Sequence, residues 1–133
     1  MLILIDANSG VPAYRQIVDQ VRFQIASGRL PPDAELPSTR VLAQQLGINP
    51  MTVSKAYGLL EAEGLVRHRP GLPLTVAEQT TTQVEVAREA QLRVALEAGA
   101  RAARQLGFSN TRAVAVFRAM LADLTTREDV GDE

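Results

Sequence analysis

Side chains that could do covalent or metal chemistry are scarce in this 133-residue chain: cysteine is absent, His68 is the only histidine and Lys55 the only lysine. No disulfide, thiolate zinc site or thiol nucleophile can be built, and one imidazole supports neither a multi-histidine metal site nor a catalytic triad. No nucleophile–base pair and no phosphate loop is present, so an enzyme is disfavoured and neither metal nor cofactor is expected. What remains is cationic and hydrogen-bonding chemistry, gathered in Asn49-Pro50-Met51-Thr52-Val53-Ser54-Lys55. On a helix, Met51, Thr52, Ser54 and Lys55 face away from the apolar stripe Val53, Ala56, Tyr57 and Leu60. Hydroxyls can bond bases or phosphates, Lys55 can neutralise a phosphate or meet a guanine, and Met51 can touch a thymine methyl. The free N–H groups at the helix start also favour a phosphate. Arg40 lies in the first turn of the preceding helix, where a cation opposes the helix dipole, and a phosphate partner would explain its placement. Thr39 beside it has the weaker case. Taken singly, Lys55 reads more readily as a solvated surface charge, and Arg40 equally as an exposed arginine with no role.

The elements that position them are marked by breakers and caps. Leu2-Ile3-Leu4-Ile5 is a short β-rich run, stopped by the turn formers Asp6-Ala7-Asn8-Ser9-Gly10. Pro12 starts a first helix with the stripe Tyr14, Ile17, Val18, Val21 and Ile25, and Gly28 ends it. Leu30-Pro31-Pro32-Asp33 is a turn. Ser38 can cap a second helix with the inner face Val41, Leu42 and Leu46, broken by Gly47. Asn49 as N-cap and Pro50 at the first position restart a third helix, closed by Gly64. Two short helices joined by a glycine-containing turn make a helix-turn-helix candidate. The strand Leu65 to Arg69, the turn Pro70-Gly71-Leu72-Pro73 and the return strand Leu74-Thr75-Val76 suggest the winged variety.

Residues 77–81 read as a polar linker, and Thr82-Gln83-Val84-Glu85 fits a capping box. A long helix with the stripe Leu92, Leu96, Gly99, Ala103 and Leu106 should follow. Gly107 breaks it, and Ser109 caps another helix with the inner face Val114, Phe117, Leu121 and Leu124. The fold expected is mainly α with a small β wing: a winged helix-turn-helix over residues 1–76, then a helical hairpin over 82–126. Residues 127–133 are expected to be an acidic, frayed tail. Two helices bury only one stripe each and cannot enclose a small-molecule pocket, so the remaining apolar surface needs either the first domain or a second copy, and the stripes form a candidate dimer interface.

Composition is ordinary for a globular protein, with 46% apolar residues and a formal net charge of −1. Residues 1–76 hold seven basic and six acidic groups, so a nucleic-acid surface would have to gather its cations on one face. No run approaches the roughly 20 apolar residues that span a bilayer. With no secretory signal pattern at Met1, this reads as a cytoplasmic chain.

The stretch from Val11 to Val66 resembles the winged helix-turn-helix domain of the GntR family of bacterial transcription regulators. The resemblance is carried by Pro12-x-Tyr14-x-x-Ile17, Ile25-x-x-Gly28-x-Leu30, Leu36-Pro37-Ser38-x-Arg40-x-Leu42-Ala43, Asn49-Pro50-x-Thr52-Val53-x-Lys55-Ala56-Tyr57 and Leu60-Glu61-x-Glu63-Gly64-Leu65. About 50 further residues, read as two helices, resemble the YtrA-type subgroup. The resemblance implies a homodimeric repressor of a palindromic operator in double-stranded DNA, often that of a transporter operon. It implies DNA contacts from Arg40, from Thr52, Ser54 and Lys55, and from Gly71 at the wing tip; Ser38 and Thr39 are candidate contacts beside Arg40. The wing departs from the family pattern, with Leu72 at a basic position and Pro73 at a second glycine. Arg67, His68 and Arg69 are then expected to grip phosphates instead. Any small-molecule effector is unknown. The competing reading is a winged-helix module that binds another protein; salt separates the two, since phosphate contacts weaken steeply as salt rises.

Overall fold

The computed structural model describes residues 1–131. Helix α1 spans Ala13–Ala26, α2 Thr39–Leu46 and α3 Pro50–Ala62; strands β1 Val66–Arg67 and β2 Thr75–Val76 follow, then α4 Thr81–Gln105 and α5 Asn110–Gly131. Two compact units are present, Met1–Gln91 and Leu92–Glu133, with the division inside α4.

The first unit closes around one core. Ile17, Val18 and Val21 of α1 meet Leu42 and Ala43 of α2, Val53, Ala56, Tyr57 and Leu60 of α3, and Val66 and Val76 of the strands. Each fully buried aliphatic side chain contributes about 1.5–3 kcal/mol. The expected stripes of α1 and α3 are inward. On α2 the expectation fails at Val41, which is 44% exposed, while Ala43 is buried. A helix of two turns meets its neighbours on a narrow face, here the one carrying Leu42 and Ala43.

The caps follow the residue types. Ser38 Oγ accepts the Val41 N–H at 3.1 Å, and Asn49 Oδ1 accepts the Met51 N–H at 2.8 Å. Gly47, at φ +66°, makes the left-handed turn between α2 and α3. The capping box of α4 lies two residues before the expected one: Thr80 Oγ1 accepts the Gln83 N–H, and Gln83 Oε1 accepts the Thr80 N–H. Thr-x-x-Gln satisfies the same two donors as Thr-x-x-Glu, so both registers were chemically available.

Two segments expected as strand or tail differ. Leu2 to Ile5 pairs with no strand; its backbone is bonded by glutamines spaced four apart on α1. Gln20 accepts the Leu4 N–H at 2.9 Å and donates to the Leu4 carbonyl at 2.6 Å. Gln16 treats Asp6 the same way, and Gln24 donates to the Leu2 carbonyl. A primary amide offers both donor and acceptor, so the three side chains replace a neighbouring strand and Ile3 reaches the core. At the other end, α5 continues through the stretch expected to fray and runs to Gly131; residues 132–133 lie outside the described residues.

Strands β1 and β2 pair antiparallel, Val66 opposite Val76 and Arg67 opposite Thr75. Each has two residues, shorter than expected, and a third edge comes from the loop before α2. Leu36 N–H bonds the Leu74 carbonyl at 2.8 Å, and Val76 N–H bonds the Ala34 carbonyl at 2.9 Å.

Candidate nucleic-acid interface

The face of α3 opposite its core stripe carries Met51, Ser54 and Lys55, all exposed, with Met51 at 75%; Thr52 on its flank is half-buried. Arg40 is exposed at the start of α2 and Thr39 half-buried beside it. Among the described residues neither Arg40 nor Lys55 takes part in an ion pair. The sequence holds no carboxylate from Leu36 to Leu60, which includes all of α2, the turn and most of α3. The two cations of this surface are therefore not neutralised locally, although the chain as a whole is slightly acidic. Such a surface attracts phosphate within roughly a Debye length, about 10 Å at 0.1 M salt.

Tyr57 fixes how α2 enters. Its hydroxyl donates to the Pro37 carbonyl at 2.7 Å, directly before the Ser38 cap. The ring is buried, and burial pushes its phenol well above the ordinary value of 10, so the group stays a neutral donor. Ser38 Oγ accepts the capping bond and keeps its O–H proton and a second lone pair for another partner.

The wing is less cationic than its sequence suggests. Arg67 donates to Asp33 Oδ1 at 2.8 Å in an exposed ion pair, so its charge is partly met within the chain. Asp33 holds φ +68°, a left-handed conformation that Asp tolerates better than most residues. The pairing crosses 34 residues, and no local signal announces it. His68 and Arg69 are exposed, and Arg69 makes no ion pair among the described residues. Leu72 N–H bonds the Arg69 carbonyl at 3.0 Å with Gly71 at φ +73° between them, the Pro-Gly turn that positive φ requires. Gly71 and Leu72 are exposed at the tip.

One residue of this region was read only as core. Tyr14 of α1 is half-buried, and the Lys55 ammonium lies 3.9 Å from its ring centroid. The Pro12-x-Tyr14 motif was the available signal, but sequence spacing cannot show a contact between helices.

In the second unit no described residue is buried. Leu92, Leu96, Gly99, Leu106, Val114, Leu121 and Leu124 are exposed, and Ala103 and Phe117 half-buried. Among the described residues no helix is long and apolar enough to cross a membrane.

The family model described as "Bacterial regulatory proteins, gntR family" matches residues 13–76. The HTH-type transcriptional repressor YtrA of Bacillus subtilis is 41% identical over 85 residues, 63% of this chain and 65% of that protein. The HTH-type transcriptional regulator Rv1152 of Mycobacterium tuberculosis is 32% identical over 110 residues, 83% of this chain and 86% of that protein. The AraR DNA-binding domain, solved in complex with operator ORX1, superposes with a TM-score of 0.51 at 29% identity; the match covers 58% of this chain and 96% of that one. The match spans less than two thirds of the length of three curated relatives, from 15% to 65%, YtrA included.

Proposed function

Because the chain belongs to the GntR family of bacterial regulatory proteins, in its YtrA type, we propose that it regulates transcription as a homodimer on a two-fold symmetric DNA operator. The observation that carries the DNA-binding part is the carboxylate-free surface of α2 and α3, with Arg40 and Lys55 open to solvent. In this reading the first turns of α3 enter a major groove, Met51, Thr52 and Ser54 meet base edges, and Arg40 and Lys55 hold phosphates. Ser38 and Thr39 lie at the same helix start as Arg40. Arg69 and Gly71 extend the contact at the wing, and Arg67 joins only if a phosphate displaces Asp33.

Dimerisation is supported by the second unit. A unit of this size whose described large aliphatic side chains are all exposed cannot fold on its own burial. A second copy would cover the stripe Leu92, Leu96, Gly99, Ala103 and Leu106, and its counterpart Val114, Phe117, Leu121 and Leu124. Burial there contributes about 25 cal/mol per Å² before association costs. Two-fold symmetry then sets two recognition helices roughly 34 Å apart.

Selection of bound sequences from a random DNA pool tests the whole reading. The expected product is an inverted repeat whose affinity falls roughly 10³–10⁵-fold between 50 and 200 mM salt if 6–10 phosphates are contacted. An unenriched pool, or binding indifferent to salt, refutes it. Arg40→Ala and Lys55→Ala should both weaken binding with the fold intact. Leu121→Glu should yield a monomer in sedimentation, and an unaltered dimer removes the assigned interface.

A further inference from the structure

Tyr14 and Arg15 sit in the first turn of α1, whereas Lys55 sits in α3, yet the packed cores of the two helices bring all three to one place. The Lys55 ammonium lies 3.9 Å from the Tyr14 ring centroid, and the Arg15 guanidinium carbon 5.8 Å from the same centroid. Both distances fall within the roughly 6 Å over which an aromatic face attracts a cation. One ring thus carries two positive charges. Neither is neutralised by a carboxylate among the described residues: Asp19, one turn along α1, pairs with Arg22, and Glu63 pairs with Arg22 as well.

Two cations gathered at one ring, neither paired with a carboxylate among the described residues, leave positive charge there that the ring quadrupole offsets only in part. The chemistry that completes such a site is an anion with oxygens on more than one side, as in a phosphodiester. The ring also answers a problem specific to lysine. Its four-carbon stem is flexible, and a phosphate contact must otherwise order it at the moment of binding.

The geometry points to Tyr14 as a positioning residue for DNA: its ring pre-orders the Lys55 ammonium and sets Arg15 beside it, so that α1 adds a phosphate contact to the recognition helix. This rests on the DNA-binding reading above, and it assigns α1 a role that neither the helix-turn-helix nor the wing supplies.

The test uses the full chain and the DNA site recovered by selection. Lys55 is the only lysine, so lysine labelled with ¹³C at the ε carbon gives one signal. That signal is expected upfield of the free-lysine position through the ring current, and it should remain upfield on DNA. A free-lysine position in either state overturns the proposal without any variant. In fluorescence anisotropy, Tyr14→Phe should bind within about twofold of wild type, and Tyr14→Leu roughly three- to tenfold more weakly. Lys55→Ala should cost distinctly less in the Tyr14→Leu background than alone. An equal cost in both backgrounds means that Tyr14 acts on the fold only. Arg15→Ala, on an exposed side chain, should lower the slope of log affinity against log salt by about 0.9, and an unchanged slope removes its phosphate. Wild type that binds no DNA defeats the functional reading itself; wild type that binds while Tyr14 is indifferent defeats only this inference.

Discussion

Replacing Tyr57 by Phe removes one oxygen and leaves the buried ring in place. The lost bond is the 2.7 Å contact from the hydroxyl to the Pro37 carbonyl. A net hydrogen bond contributes about 0.5–1.5 kcal/mol, and the half-buried Pro37 carbonyl loses its partner, so a cost of about 1–2 kcal/mol is expected at neutral pH. The pH dependence is the sharper half. Burial raises the folded-state phenol above its ordinary value of 10, so between the two values the unfolded chain has lost this proton and the folded chain keeps it. The stabilising contribution is whole below pH 10 and is lost as pH climbs toward the folded value. This one group then gives a slope of about −1.4 kcal/mol per pH unit. Urea denaturation at fixed protein concentration, followed by circular dichroism from pH 8 to 11, measures both. Wild type should lead Tyr57→Phe up to about pH 10, and the gap should then close, all other titrating groups cancelling in the difference. A gap that stays constant through pH 11 refutes the argument that this phenol is held neutral.

Three other outcomes are expected. Gly58→Ala should raise stability by about 0.5–1 kcal/mol in urea melts, because the position is helical with ordinary φ and an added Cβ meets nothing within 4 Å; a loss would show hidden crowding. Asn49→Ala should cost about 1 kcal/mol in the same assay through the cap on the Met51 N–H, and Asn49→Asp should recover most of it. Gln20→Ala should free the segment around Leu4, read as faster proteolysis near the N-terminus with a nearly unchanged global melt, whereas unchanged proteolysis would mean that Ile3 alone anchors it.

The helix-turn-helix was legible because its punctuation is local: Gly47, Asn49, Pro50 and Gly64 each fix a backbone conformation or cap whatever the tertiary context. Burial of Val53, Ala56, Tyr57 and Leu60 followed from the helical period alone. Val41 and Ala43 were misassigned because that period cannot tell which side of a two-turn helix passes nearest its neighbours. The N-terminal run forms no strand because its pairing partners are glutamine side chains on α1, whose periodicity marks only a polar helix face. For the site, the exposed face of α3 was legible as the reverse of the stripe. The Arg67–Asp33 pair and the placement of Lys55 over Tyr14 were not, since each joins residues far apart in the chain.

The loop before α2 serves two clients. Asp33, Ala34 and Leu36 bond β2 and the approach to it, and the next two residues hold the Tyr57 hydroxyl and cap α2. Six consecutive residues therefore splint the wing to the helix that leads into the reading head. Loosening of one then strains the other, and the amide hydrogens of Leu36, Val76 and Val41 should report one common opening free energy in hydrogen exchange, as a single unit. A force felt at the wing tip would then reach the start of α2 through covalent chain, with no rearrangement of the core between them.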